Sequence, residues 1–172
     1  RDQAQWQALV SGLESSQRDA FLLPGYARVY EKVYGGRSGL FCIDDAGSRI
    51  LHIFLRRPVH TLPFFELLKT DIEMFDIITP EYSGPVFSGQ QESRKKLWEV
   101  FEREFPAYCR SQNIVAEFGR INPYYNAGQD FLTAVNAKEN RQVVYLDLSL
   151  SEKDIWNGFS KGNKSSIKKA QK

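Results

Sequence analysis

The sequence predicts a mixed α/β (α+β) domain, a mixed and mostly antiparallel sheet with helices packed on it. Three observations predict it. Apolar residues recur at helical spacing in three separate stretches. Short apolar runs bounded by turn residues alternate with those stretches, and two of the runs flank a turn as the arms of a hairpin do.

The first helix is predicted over Gln3 to Leu13, where Trp6, Leu9, Val10 and Leu13 follow the i, i+3, i+4, i+7 pattern. A second follows Pro24, a residue suited to a first helical position. Its apolar residues are Tyr26, Val29, Tyr30 and Val33, and Gly35-Gly36 ends it. Leu40–Ile43 and Ile50–Leu55 flank Asp44-Asp45-Ala46-Gly47-Ser48, which predicts a β-hairpin closed by Arg56-Arg57-Pro58. A short helix is expected around Phe64–Lys69 and a short strand at Phe75–Ile78. Thr79 to Pro85 holds two Pro and one Gly in seven residues and reads as a loop.

From Gln91 to Arg110, Leu97, Trp98, Phe101, Phe105 and Tyr108 mark a long amphipathic helix that Pro106 should bend or interrupt. Ile114–Phe118 and Asn140–Leu148 read as strands, and residues 123–141 as a mobile polar loop. Ser149 or Ser151 can cap a helix running through Phe159, with Glu152 and Asp154 near its positive end.

The 172 residues are enough for one well-filled domain. The net charge of +2 conceals an asymmetry: residues 161–172 hold five Lys and no acid, whereas the other 160 residues hold 18 basic and 21 acidic groups. Cys42 and Cys109 each sit in an apolar run, which predicts buried free thiols and a reducing compartment. No run of 18 apolar residues and no signal-peptide pattern occurs, and a cytoplasmic location is expected. The chain opens on Arg1 and ends inside a helical pattern, so it reads as a piece of a longer protein: a lobe over residues 1–160, then a basic helix from 161 leading onward.

Several chemistries lack their motifs. Gly35-Gly36-Arg37-Ser38-Gly39 has no Lys-Ser/Thr where a phosphate-cradling loop needs it, and no dinucleotide fingerprint or Gly-x-Ser-x-Gly elbow occurs. His52 and His60 form no His-x3-His pair and have no Cys pair beside them, so no metal site is expected. A basic, glycine-containing turn opening a helix, as needed to bind an acyl-coenzyme A pyrophosphate, is also absent.

Four segments in order carry a family resemblance: Asp76-Ile77-Ile78-Thr79-Pro80-Glu81-Tyr82-Ser83-Gly84-Pro85, Glu117-Phe118-Gly119-Arg120-Ile121-Asn122-Pro123, Val144-Tyr145-Leu146-Asp147-Leu148-Ser149, and the stretch from Ile155 through Lys164 to Ala170. Over roughly residues 70–172 the chain resembles the N-terminal half of FemAB-like, GNAT-related acyltransferases, a family that includes peptidoglycan-bridge enzymes and proteins linked to surface polysaccharides. The resemblance implies a GNAT-like lobe bordering a cleft. It implies transfer of an acyl or aminoacyl group to an amine or hydroxyl of a cell-envelope precursor or sugar, with the acceptor a nucleotide-sugar, a lipid-linked precursor or a glycan. The fragment itself carries no cofactor; the donor in the full-length protein would be acyl-CoA or aminoacyl-tRNA. The chain departs from the family where the usual Arg of the terminal helix is Lys164, which keeps the charge but loses the bidentate fork.

Candidate substrate-binding residues are Arg120, Lys164, Lys168, Tyr82, Ser83 and Arg28. Arg120 follows a strand and precedes Asn-Pro; it either enters the cleft to bind an anionic acceptor or pairs with Glu117 or another acid. Tyr82 and Ser83 offer a hydroxyl pair on a rigid turn, or else Tyr82 packs and Gly84 merely permits the turn. Arg28 is a weaker candidate for the same cleft. Lys161, Lys164, Lys168 and Lys172 fall within about an 80° arc at helical spacing, a stripe that could face polyanions or simply water. No catalytic base is assigned, although Asp44, Asp45 and Asp147 are available. Two other functions remain open at this level: a non-catalytic nucleotide-sugar or glycan binding module, and an RNA-binding domain with tRNA as partner. The acidic body argues against a broad nucleic-acid face.

Overall fold

The computed structural model describes residues 2–63, 65–122, 138, 142 and 144–171. They fall in two compact units, residues 1–137 and 138–172.

The first unit is a five-stranded, mostly antiparallel sheet with helices packed against it. Helix α1 (Gln3–Ser11) is capped by the Asp2 carboxylate, which accepts from the amides of Ala4 and Gln5. Helix α2 (Pro24–Tyr34) starts on its proline and stops at Gly35, whose φ of 70° lies in the left-handed region. Its buried residues are Ala27 and Tyr30, while Val29 and Val33 are exposed, so the apolar face expected from spacing is rotated. Ser38 donates its hydroxyl to the Ala27 carbonyl at 3.0 Å, one of the contacts that hold the face of Ala27 and Tyr30 inward.

The predicted hairpin is present and longer than expected. Strand β1 (Arg37–Asp45) pairs antiparallel with β2 (Ser48–Pro58) along its whole length. Arg56-Arg57-Pro58 does not close β2; it continues the strand into a ladder with β3 (Phe75–Ile78), where Arg57 grips Asp76 with two hydrogen bonds of 3.0 and 2.5 Å. Pro58 sits at the last position, where a missing amide costs least. The helix expected around Phe64–Lys69 is a 3-10 turn, Phe65–Leu68.

Strand β4 (Val86–Ser88) pairs with the start of β2, and β5 (Ile114–Phe118) pairs parallel with β3. Helix α3 (Gln91–Ser111) runs through Pro106 without interruption. A proline removes one amide donor there, and the burial of Trp98, Phe101 and Phe105 on the sheet outweighs that loss. Residues alternate across β2: Ile50, His52 and Phe54 face α3, whereas Leu51 and Ile53 pack with Val10 and Leu13 of the α1 side.

Both cysteines are free as expected, but neither is fully buried. Cys42 is exposed on strand β1 and Cys109 is half-buried, both unpaired.

In the second unit, α4 (Glu152–Gly158) is capped by Ser151, not Ser149, and α5 (Lys161–Ala170) by Ser160. The strand expected over Asn140–Leu148 lies in part outside the described residues. Those described, Gln142 and Val144 to Leu148, join no ladder. Most of the loop expected over residues 123–141 also lies outside the described residues. Among the described residues no helix is long and apolar enough to cross a membrane.

Candidate functional site

Strands β3 and β4 run along the same edge of β2 as two pieces of one interrupted strand. β3 covers Leu55 to Pro58 and β4 covers Arg49 to Leu51, so the seven residues 79–85 stand opposite the three residues 52–54. The excess chain leaves the sheet as a loop, in the manner of an enlarged bulge. It is the Thr79 to Pro85 segment that the sequence marked as a loop. The amide of Ser83 donates to the Pro80 carbonyl at 3.0 Å, and Glu81 has a φ of 40°.

This loop meets the carboxyl end of β5. The Thr79 amide donates to the Phe118 carbonyl at 3.1 Å, continuing the parallel ladder one step past β3. The Arg120 amide in turn donates to the Thr79 hydroxyl at 3.2 Å. Between them Gly119 lies so close that an added Cβ would sit 3.2 Å from the Thr79 side chain. These contacts place Arg120 and Tyr82 together: the guanidinium carbon is 5.9 Å from the Tyr82 ring centre. Arg120 Nη1 also donates to Glu81 Oε2 at 3.3 Å, with the arginine side chain 54% exposed. The acid partner of Arg120 is therefore Glu81, not Glu117.

Glu81 is held from its other side by Tyr30 of α2. The Tyr30 hydroxyl donates to Glu81 Oε1 at 2.6 Å and accepts from the Glu81 amide at 3.0 Å. Burial, and then the Glu81 carboxylate, hold this phenol above its ordinary range. Tyr26, Tyr30 and Tyr34 form a ladder along α2 with ring centres 5.5 and 5.0 Å apart.

Glu117 has a different partner. His52 Nε2 and Glu117 Oε1 are 2.8 Å apart, with the imidazole fully buried among Phe54, Phe101 and Phe105 and the carboxylate partly open to water. The histidine Nδ1 has no hydrogen-bond partner among the described residues.

The remaining predicted residues divide as follows. Ser83 is fully buried, and its hydroxyl has no partner among the described residues, so the hydroxyl pair expected on the turn reduces to Tyr82. Ser83 begins a buried run that continues through Gly84, Pro85 and Val86. Arg28 is exposed on α2 beside buried Ala27. Asp44 pairs with Arg49 at 3.2 Å and Asp45 with Lys96 at 2.6 Å. Asp147 lies in a turn, where the hydroxyl and amide of Ser149 lower its pKa.

Lys164 and Lys168 lie in the second unit and are described within it. Lys164 Nζ donates to the Asn157 carbonyl at 3.2 Å, near the negative end of α4. Lys168 Nζ stands 6.0 Å from the Trp156 ring centre. Lys161, Lys164 and Lys168 of the expected stripe line one shallow depression with Ser165 and Lys169, and Lys172 lies outside the described residues. Among the described residues, no group of three or more His, Cys, Asp or Glu side chains is placed to hold a metal ion.

Sequence reasoning missed Glu81, Tyr30 and the His52–Glu117 pair. Glu81 had a local signal, since an acid inside a Pro- and Gly-bounded loop must be exposed or paired. The long-range partners had none. Set against protein-family models, curated proteins and solved structures, the chain matches none of them.

Proposed function

We propose that the chain is the acceptor-binding lobe of a FemAB-like, GNAT-related acyltransferase. In this reading the acyl or aminoacyl group goes to an amine or hydroxyl of a cell-envelope precursor or sugar. The donor is acyl-CoA or aminoacyl-tRNA, bound by parts of the protein beyond this chain. Both donors are cytoplasmic, and a cytoplasmic location belongs to the proposal.

The observation that supports it is Arg120 at the carboxyl ends of the parallel pair β3 and β5, more than half exposed and beside Tyr82. Because β3 and β5 run parallel, the loops that leave their carboxyl ends emerge side by side and bring Glu81, Tyr82 and Arg120 to one place. A guanidinium there binds a carboxylate or phosphate through a planar fork of donors. An anionic acceptor anchored so would hold its nucleophile in place, and positioning alone can supply much of an acyl-transfer rate.

The test is acyl transfer by the full-length protein, with acyl-CoA and aminoacyl-tRNA offered separately as donors. Arg120→Ala should raise the acceptor KM roughly tenfold or more, as expected for a lost charge-assisted contact. Unchanged acceptor KM would remove Arg120 from the site. No transfer from either donor class would leave the glycan or nucleotide-sugar binding module as the better reading.

A further inference from the structure

We propose that Glu81 is a built-in stand-in for the anionic group of the ligand, occupying Arg120 until a carboxylate or phosphate displaces it. The proposal rests on the anion-binding reading of Arg120.

The two ends of the contact are unequally held. Glu81 is gripped twice by Tyr30, which is 8% exposed, through the 2.6 Å bond to its carboxylate and the 3.0 Å bond from its amide. Its left-handed φ of 40° is a conformation that a glutamate keeps only where the surroundings impose it. Arg120 has the opposite character. A single contact of 3.3 Å joins it to Glu81 Oε2, where a guanidinium fork could make two shorter ones. Both side chains are open to solvent at that contact, where an ion pair is weak.

The consequence is a directed exchange. The carboxylate is held by Tyr30 and the exposed guanidinium by one long contact, so an arriving anion takes Arg120 away from Glu81 without disturbing the Tyr30 lock. A ligand with two oxygens gains the bidentate geometry that Glu81 Oε2 leaves unused. Glu81 then competes with every anion and repels it once bound. It sets a threshold that an anion crosses by making the two-oxygen contact that Glu81 leaves unused.

The experiment measures binding of pyrophosphate and of acetate, by calorimetry and by Arg side-chain NMR, to the wild-type chain, Glu81→Gln and Arg120→Ala. Glu81→Gln keeps an oxygen to accept from Tyr30 and puts an NH2 where Oε2 accepted from Arg120, so it removes both the charge and the acceptor that hold the guanidinium. It should bind pyrophosphate about two- to fivefold tighter, the range expected for loss of an exposed ion pair. Arg120→Ala should bind it at least about tenfold more weakly. In the wild type, pyrophosphate should shift the Arg120 guanidinium signals and leave the Glu81 amide in place, a readout that stands even if Glu81→Gln fails to fold. Tighter binding of pyrophosphate than of acetate identifies phosphate as the ligand chemistry, and the reverse identifies a carboxylate. Equal or weaker binding by folded Glu81→Gln, with Arg120→Ala impaired, would overturn the stand-in and leave the anion site intact. Unchanged binding by Arg120→Ala would overturn both.

Discussion

His52 and Glu117 are 65 residues apart in the chain, yet His52 Nε2 and Glu117 Oε1 meet at 2.8 Å. The contact joins β2 to β5 across the gap where β3 leaves the sheet and the loop bulges out. A fully buried imidazole with one satisfied nitrogen and one orphan is a costly residue to keep.

That asymmetry predicts a mutational order. His52→Ala should cost about 2–4 kcal/mol, because it empties a ring-sized space among Phe54, Phe101 and Phe105. His52→Phe keeps a ring and removes the orphan nitrogen, so it should fall within about 1 kcal/mol of wild type. Urea unfolding measures both. A His52→Phe variant as damaged as the alanine would show that the imidazole–carboxylate bond outweighs the packing.

Arg57 and Asp76 are each less than one-fifth exposed and joined by two hydrogen bonds across β2 and β3. Asp76→Ala should cost about 1–3 kcal/mol by stranding the guanidinium. Hydrogen exchange should show the loss first in the β3 amides.

Gly36 has a φ of 87°, and a Cβ there would lie 2.2 Å from the Arg56 carbonyl oxygen. Gly36→Ala should therefore destabilise by roughly 2 kcal/mol or more through backbone strain and the forced shift of β2. Thermal unfolding against Gly25→Ala, where nothing lies within 4 Å of the added atom, is the internal control.

Much of the local structure was legible in the sequence because it depends on near neighbours. The helix on Leu97, Trp98, Phe101 and Phe105, the stop at Gly35 and the strand Phe75–Ile78 each follow from spacing or one turn residue. The errors come from tertiary choice. Val29 and Val33 extend the helical stripe through Tyr30 as well as Ala27 does, and long-range contacts, among them those of Ser38 with Ala27 and Tyr30 with Glu81, select between them. The candidate site was half legible. Arg120 and Tyr82 were singled out and lie together, but Ser83 points inward, and Glu81 acquires its role from Tyr30, 51 residues away.

Cys109 supplies a pH prediction. Burial pushes its thiol up from 9.0 to about 11, so the folded state holds the proton after the unfolded chain has lost it. Its contribution to stability is complete below about pH 9 and lost as pH rises from there towards 11. Iodoacetamide at pH 8 should modify exposed Cys42 faster than Cys109, as mass spectrometry of the two peptides will show.

The central claim is that anions bind at the carboxyl end of β5. The most direct measurement is a backbone amide NMR titration of the chain with pyrophosphate at physiological salt. The account predicts saturable shifts concentrated at Thr79, Glu81, Tyr82 and Gly119 to Asn122, abolished in Arg120→Ala. Shifts confined to Lys161 through Lys169, unaffected by that substitution, would contradict it and move the binding face to the lysine helix.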